Sequence, residues 1–523
     1  MRTYLLVLLA ACGHDVQPFA SDAPPSLSAD ADSREHSTLS AETAPNTAAS
    51  PLFADDYRNY NTSAQTGNGN GDLVLHGAIS KLPLTSVAPH AQQIFVETQT
   101  WFCHLAANEA GERLAANARC GSHIDVGYNS DDPAQVARQV ADLQSRGVTG
   151  VIMDWSGKDS SHDGDASFYP TGSGTDHTHG RGSTEVATNA IYAMKTAAEA
   201  TGFQFAVSED EGITNCRKGW AGGCACWPAY GSACNETTQV ISDLSYIKTH
   251  WASSPAYVHI DSKPVVTFFA PDYNACPDPN AADCQHIDWN AVHQAVDDQL
   301  WIFENKGGYT HAFSGGAFQW PSPTLYPGTD PTFALGGTKD FDHASVPAGE
   351  HAFAGATKGF DDGVTDGWNY GNGTHTRYIE QRCGLTWLDM LEQVERDGLT
   401  TMQLVTLDDY EEATELETGI DSCITAVTGT IESDQLTWSI EFGEDLTGGA
   451  QGSERAIDHY TVWSSSDGEQ LTKLADLGRD ATGALPHSLA LDDLPGDAHM
   501  IYVEAVAKPW LTNAFSSAIP LAQ

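Results

Sequence analysis

Apolar residues recur along this chain in two alternating rhythms. Short apolar, β-branched runs read as buried strands at Ile94–Gln99, Val148–Asp154, Phe203–Glu209, Pro264–Ala270, Gln299–Glu304, Ala312–Trp320, His351–Lys358 and Thr401–Leu407. Between them, helical spacing fits Asp132–Arg146, Thr184–Thr201, Glu236–Trp251, Trp289–Asp298 and Gly384–Arg396. Val136, Val140 and Leu143, for example, step by four and three. Eight strands with intervening helices predict an α/β fold, a (β/α)8 TIM-type barrel over residues 72–423. In such a barrel the active site gathers at the carboxyl ends of the strands. Past Cys423 the rhythm becomes short alternating strands, Leu436–Phe442, His459–Ser465, Ser488–Leu491, Met500–Ala505 and Ala514–Ile519, separated by turn-rich segments. That pattern predicts a small all-β sandwich over 424–523.

Charge narrows the partners. Against 70 Asp and Glu stand 25 Lys and Arg, a formal charge of −45. No nucleic acid partner is expected, because nucleic acid binding rests on neutralising phosphates with basic side chains. A neutral sugar polymer tolerates an acidic protein.

The N-terminus reads as an export signal. Met1-Arg2-Thr3 precedes the apolar run Tyr4–Ala11, and Leu9-Ala10-Ala11-Cys12 resembles a bacterial lipobox in which Cys12 is lipidated. Residues 13–71 are polar, rich in Ala, Ser, Asp, Thr, Pro and Asn, and read as a disordered tether. The expectation is a monomer held by a lipid anchor in the cell envelope, at the outer membrane, facing the periplasm or the outside. Of 11 cysteines, setting Cys12 aside leaves an even number for disulfides. Local pairs are Cys103 with Cys120, Cys276 with Cys284 and Cys383 with Cys423, while Cys216, Cys224, Cys226 and Cys234 leave their connectivity open. Zinc on that last cluster is the alternative, but an oxidising compartment favours disulfides.

Candidate chemistry sits after the eighth strand. The segment Asp408-Asp409-Tyr410-Glu411-Glu412-Ala413-Thr414-Glu415-Leu416-Glu417 carries six carboxylates. Crowded acids raise one another's pKa, and a protonated acid beside an ionised one is what glycoside cleavage requires. The plainer alternative is that these acids cap a helix. Other strand ends carry Asp154-Trp155, Glu209-Asp210-Glu211, Trp320 and Asp361-Asp362, a set suited to binding sugars by stacking and hydrogen bonding. His162, His177 and His179 have no regular ligand spacing, so neither a metal nor any cofactor is expected.

His123–Ser130, Gln139 through Trp155, Gly359–Asp362 and the acidic segment together resemble glycoside hydrolase families 71 and 99. That resemblance implies an endo-acting enzyme on α-linked polysaccharide, α-1,3-glucan or α-mannan. It also implies that Asp409 and Glu412 are the catalytic carboxylates, and the strand-end and acidic-segment residues Asp154, Trp155, Glu209, Asp210, Glu211, Trp320, Asp361 and Tyr410 are expected to bind substrate beside them. On this reading Glu412 is the general acid and Asp409 stays ionised. Asp408 replaces the family's Asn and Ala413 its Gly, so a non-catalytic glycan-binding lipoprotein is the competing expectation. A purely structural envelope lipoprotein is the third. Trp438 and Leu494 through Val506 resemble a fibronectin type III module, with His499 where that family has Tyr, and bracing is its expected role.

Overall fold

In the computed structural model of the chain, residues 78–102, 128–155, 157, 181–210, 236–269, 287–321, 341, 346–361, 378–444, 451–468, 470–492 and 494–521 are described. Eight parallel strands form the barrel: β1 Gln93–Thr98, β2 Gly150–Trp155, β3 Gln204–Asp210, β4 Lys263–Phe269, β5 Leu300–Glu304, β6 Gly316–Phe318, β7 His351–Thr357 and β8 Thr401–Val405. Neighbours pair in chain order, β8 returns to β1 (Phe95 opposite Gln403), and β3 pairs β4 (Val207 opposite Val266), so the sheet closes on itself. Helices α1 Pro133–Ser145, α2 Arg181–Thr201, α3 Glu236–His250, α4 Trp289–Ala295 and α5 Leu385–Asp397 follow strands around it. A strand covered by helices outside and side chains inside is buried on both faces, and β2 is buried at all six positions, Asp154 included.

Local chemistry sets the helix ends. The Asp132 side chain accepts from the Ala134 N–H with Pro133 at the first position of α1, and Asp288 accepts from Asn290 and Ala291 at the start of α4. Gly398 ends α5 with φ +66°, a left-handed cap that favours glycine.

Two expectations change in extent. The sixth strand is three residues long, because Phe313 (φ +62°) and a turn closed from Ser314 N–H to the His311 carbonyl occupy its expected start. The last expected strand, Ala514–Ile519, is two short ones.

The C-terminal strands are β9 Ile424–Glu432, β10 Gln435–Phe442, β11 Ile457–Ser465, β12 Thr472–Leu477, β13 Ser488–Ala490, β14 Met500–Ala507, β15 Ala514–Phe515 and β16 Ile519–Pro520. They build antiparallel sheets of three and five strands around a separate core that includes Leu436, Trp438, Tyr460, Val462, Ile501 and Val503. β9 and β12 escape sequence reading. β12 lies at a sheet edge with no fully buried residue, and β9 lacks a regular inside–outside alternation.

A dense seam joins these sheets to the barrel. Trp510, only 2% exposed, meets Trp387 of α5 edge-on, with ring centroids 6.1 Å apart, and lies under the Arg146 guanidinium at 4.9 Å. The Trp387 indole N–H donates to the Pro509 carbonyl at 3.1 Å. Arg455 pairs with Asp389 and Glu392 of α5. Trp510 therefore belongs to the packed interior and presents no sugar-stacking face.

The Cys383–Cys423 disulfide pins the start of α5 to the start of β9. The other proposed cysteine pairs, and Cys12 with its tether, lie outside the described residues. Cys383 and Cys423 close a loop of 40 residues, for which chain entropy gives about 4 kcal/mol. The double replacement by Ser is expected to lose about that much in denaturant unfolding. An unchanged midpoint would show that the seam alone holds the segment.

Candidate active site

Side chains alternate between the two faces of a strand, so parity decides which residues enter the barrel. Phe95 and Phe353 stack at 5.9 Å and form an apolar floor. Two residues further along β1, on the same face, Glu97 accepts from the Gln403 amide of β8 at 2.5 Å. Asp154 is the last inward-facing residue of β2 and Asp210 ends β3, and the two interact electrostatically. Glu304 ends β5 and acts electrostatically on Glu97.

The acidic segment closes over this floor as a compact turn. Thr406 N–H donates to the Thr414 carbonyl at 3.2 Å, the Thr406 and Thr414 hydroxyls meet at 2.9 Å, and Leu407 N–H extends the ladder to the Glu97 carbonyl at 2.7 Å. Asp409 Oδ1 accepts from the N–H groups of both Glu411 and Glu412 at 3.0 Å, and its Oδ2 accepts from the Gln99 amide at 3.4 Å. Among the described residues no α-helix follows the segment, so these acids do not cap one; Asp409 instead closes a turn, which fixes its carboxylate beside Glu412. Ala413 stands at φ +52°, the conformation that favours the glycine of the family motif. The Glu412 carbonyl accepts from the Asp361 N–H at 2.8 Å, which ties the short ladder of Phe360–Asp361 with Tyr378–Ile379 to the turn.

Six carboxylates therefore converge at the carboxyl ends of the strands: Glu97, Asp154, Asp210, Glu304, Asp409 and Glu412. Burial pushes the Glu97 carboxyl well above the usual carboxylate range. The Gln403 hydrogen bond opposes this, and the charges of Asp210, Glu304 and Glu412 add to it. Asp154 is raised by burial, then by Asp210, Glu97 and Asp409. Asp409 is raised by burial, then by Glu412 and Glu411, against the N–H donated by Glu412. Its turn-closing bonds are outweighed by loss of water and by its neighbours' charge, which makes it a stronger base than a surface Asp.

Other expected site residues fall elsewhere. Trp155 has the opposite parity to Asp154. Its ring lies outside the barrel against Tyr246 (5.8 Å) and Trp251 (5.0 Å), and its indole donates to Thr188 of α2. It is fully buried there and cannot stack on a sugar. Glu209 has the opposite parity to Asp210, on the face of Phe205, whose ring packs against Tyr257 outside the barrel. Tyr410 is edge-on to Phe102, and its hydroxyl donates to Glu417, which also accepts from Tyr128 and Gln139. Tyr410 therefore holds the turn in place. Asp408 accepts from the Gln99 N–H at 2.7 Å and from the Thr98 hydroxyl, stitching the turn to β1. Trp320 meets Phe269, the last residue of β4, at 4.7 Å, at the strand ends as expected. Glu211 lies outside the described residues, as do Asp362, His162, His177 and His179.

Glu97 and Glu304 were missed. A charged residue within an otherwise apolar strand was the available signal, but parity is still needed to place it, as Glu209 on the outer face shows.

Lys358, just past β7, donates to Glu415 at 2.9 Å and to the Thr418 hydroxyl, and both members of the ion pair are fully buried. Burial raises Glu415, and the Lys358 charge opposes it. Lys358→Met would leave Glu415 facing the interior without its cation, at an expected cost of about 3–5 kcal/mol. Adding Glu415→Leu should recover much of that loss in urea unfolding. A single mutant as stable as the parent would show the pair to be dispensable.

Among the described residues no three His, Cys, Asp or Glu side chains converge with metal-binding geometry, and no helix is long and apolar enough to cross a membrane. No protein-family profile matches the chain, and no curated protein matches it. Several solved structures are similar in chain path. The GH99 endo-α-mannosidase from Bacteroides thetaiotaomicron, in complex with bis-tris-propane, is 12% identical over 67% of this chain and 91% of its own, with a TM-score of 0.40. A second structure of that enzyme is 14% identical over 62% of this chain and 87% of its own, at 0.39. A Cellulomonas fimi endo-β-1,4-mannanase double mutant is 11% identical over 84% and 96%, at 0.31.

Proposed function

We propose that the chain is a glycoside hydrolase that cleaves α-linked polysaccharide within the chain, with Glu412 and Asp409 as its carboxylate pair. The observation that carries this reading is the convergence of mutually interacting carboxylates at the carboxyl ends of the barrel strands. A protonated acid beside an ionised one supplies both a proton donor and a proton acceptor. Glu412, the longer side chain and the less buried of the two, protonates the leaving oxygen. Asp409, held by two N–H groups, removes a proton from water or from the sugar's own hydroxyl. Asp154, Asp210, Glu97 and Glu304 face the sugar hydroxyls, and Trp320 with Phe269 offers the apolar edge.

Neither departure from the family motif favours a binding-only protein. The extra carboxylate of Asp408 is taken up by β1, and Ala413 adopts the left-handed backbone that favours glycine. Release of reducing ends from α-1,3-glucan or α-mannan tests the proposal, and binding without release on every polymer would favour the binding-only protein. The C-terminal sheets, seamed to the barrel through Trp510 and Trp387, brace it. Acylation at Cys12 would place the enzyme in the cell envelope, and labelled palmitate that still attaches to Cys12→Ser would refute that anchor.

A further inference from the structure

Hydrolysis uses two carboxylates, and this barrel brings together six. The charges acting most strongly on Glu97, Asp154 and Asp409 are all carboxylates. Lys358, the buried cation beside the acidic turn, is engaged by Glu415.

A second observation concerns polar atoms without partners. Gln99 is 3% exposed, and its amide nitrogen is turned to Asp409. Its Oε1 has no hydrogen-bond partner among the described residues. Gln403, fully buried with its amide nitrogen on Glu97, has the same orphaned Oε1, and Asp154 has an orphaned Oδ1. All three are acceptors, and the two orphaned hydroxyls on the same inner face, Ser208 and Thr267, can serve either way. Buried acceptors left unpaired are costly, so a ligand that fits this interior must bring donors. Among sugars, the group richest in donors and opposite in charge to the site is a protonated amine.

We propose that the substrate is a polysaccharide of amino sugars with free, unacetylated amino groups, whose ammonium is held by Asp154, Asp210 and Glu97 while Asp409 and Glu412 cleave the adjacent linkage. This rests on the glycoside hydrolase reading and names its substrate class. N-acetylation removes both the charge and two of the donors, so it abolishes the preference. The binding carboxylates must ionise to hold the ammonium, so the preference fades as pH falls and they take up protons.

The test separates binding from cleavage. Methyl α-glycosides of galactosamine, N-acetylgalactosamine and galactose are titrated calorimetrically into the full-length protein. A partly deacetylated α-1,4-galactosaminan is then digested beside its fully acetylated form, α-1,3-glucan and α-mannan. A charge-assisted hydrogen bond corresponds to about tenfold or more in affinity. The amine is expected to bind tighter than galactose by that factor, and the deacetylated polymer to be cut fastest. Asp154→Asn, which keeps the shape of the side chain, should erase most of the difference between galactosamine and galactose. Binding of the amine without cleavage of any polymer would sustain the amino-sugar site and overturn the hydrolase reading. Cleavage of a neutral polymer with no preference for the amine would do the reverse. Equal affinity for the three glycosides, or spermidine binding as tightly as the amino sugar, would overturn the inference, the latter by showing that charge alone is read.

Discussion

Glu412→Gln is expected to lower polymer hydrolysis by about a hundredfold or more, the usual worth of a positioned general acid. On a substrate with an activated leaving group, such as an aryl glycoside or a glycosyl fluoride, the same variant should retain most of its rate, because such a group departs without protonation. Asp409→Asn should be damaging on both substrates, since a better leaving group does not replace a base. The geometry explains why the pair divides the work in this way. Asp409 is fixed by two backbone N–H groups 3.0 Å away, whereas Glu412 enters the site on a longer side chain. Since burial raises Asp409 above the usual carboxylate range, the acidic limb of the pH–rate profile should also lie above that range. Kinetics of both variants on both substrates decide this. Equal losses throughout would end the division of labour, and full activity in either variant would remove that residue from the chemistry.

Thermal stability is expected to fall as pH rises from about 5 to about 8, with Tm dropping by more than about 5 °C. Glu97, Asp154, Asp408 and Asp409 are all raised, each chiefly by burial. A carboxyl whose folded pKa exceeds its unfolded value binds its proton more tightly when folded. Its contribution is complete below the unfolded value, near about 4, and is lost as pH climbs through the folded value. Glu504 of the C-terminal sheets, raised to about 7 by burial against hydrogen bonds from Trp463 and Asn513, acts in the same sense. Repulsion within a chain of net charge −45 also grows with pH. The discriminating measurement is therefore the slope: Glu97→Gln should flatten Tm against pH relative to the parent. A Tm that is level or rises toward pH 8 would mean that these acids titrate as surface groups do.

The sequence by itself determined the order and kind of the barrel elements, because periodicity is a local property. The continuous apolar runs became β1 to β8, and the spacing of Val136, Val140 and Leu143 became α1. It also marked the acidic turn after β8 and the Cys383–Cys423 pair, since both are composition gathered at recognisable positions. Facing was decided only by the tertiary structure. In a strand buried on both sides no polar–apolar alternation marks the inner face, so Asp210 and Glu209, or Asp154 and Trp155, look equally suited to a cleft. Closure of the sheet sends Asp154 and Asp210 to the interior and leaves Trp155 and Glu209 on the outer face. The same closure brings Glu97 and Glu304, far from the acidic turn in sequence, to Glu412. It also assigns Asp408 to β1 and Trp510 to the seam, because a side chain's chemistry is set by its neighbours, and the distant ones exist only once the barrel has closed.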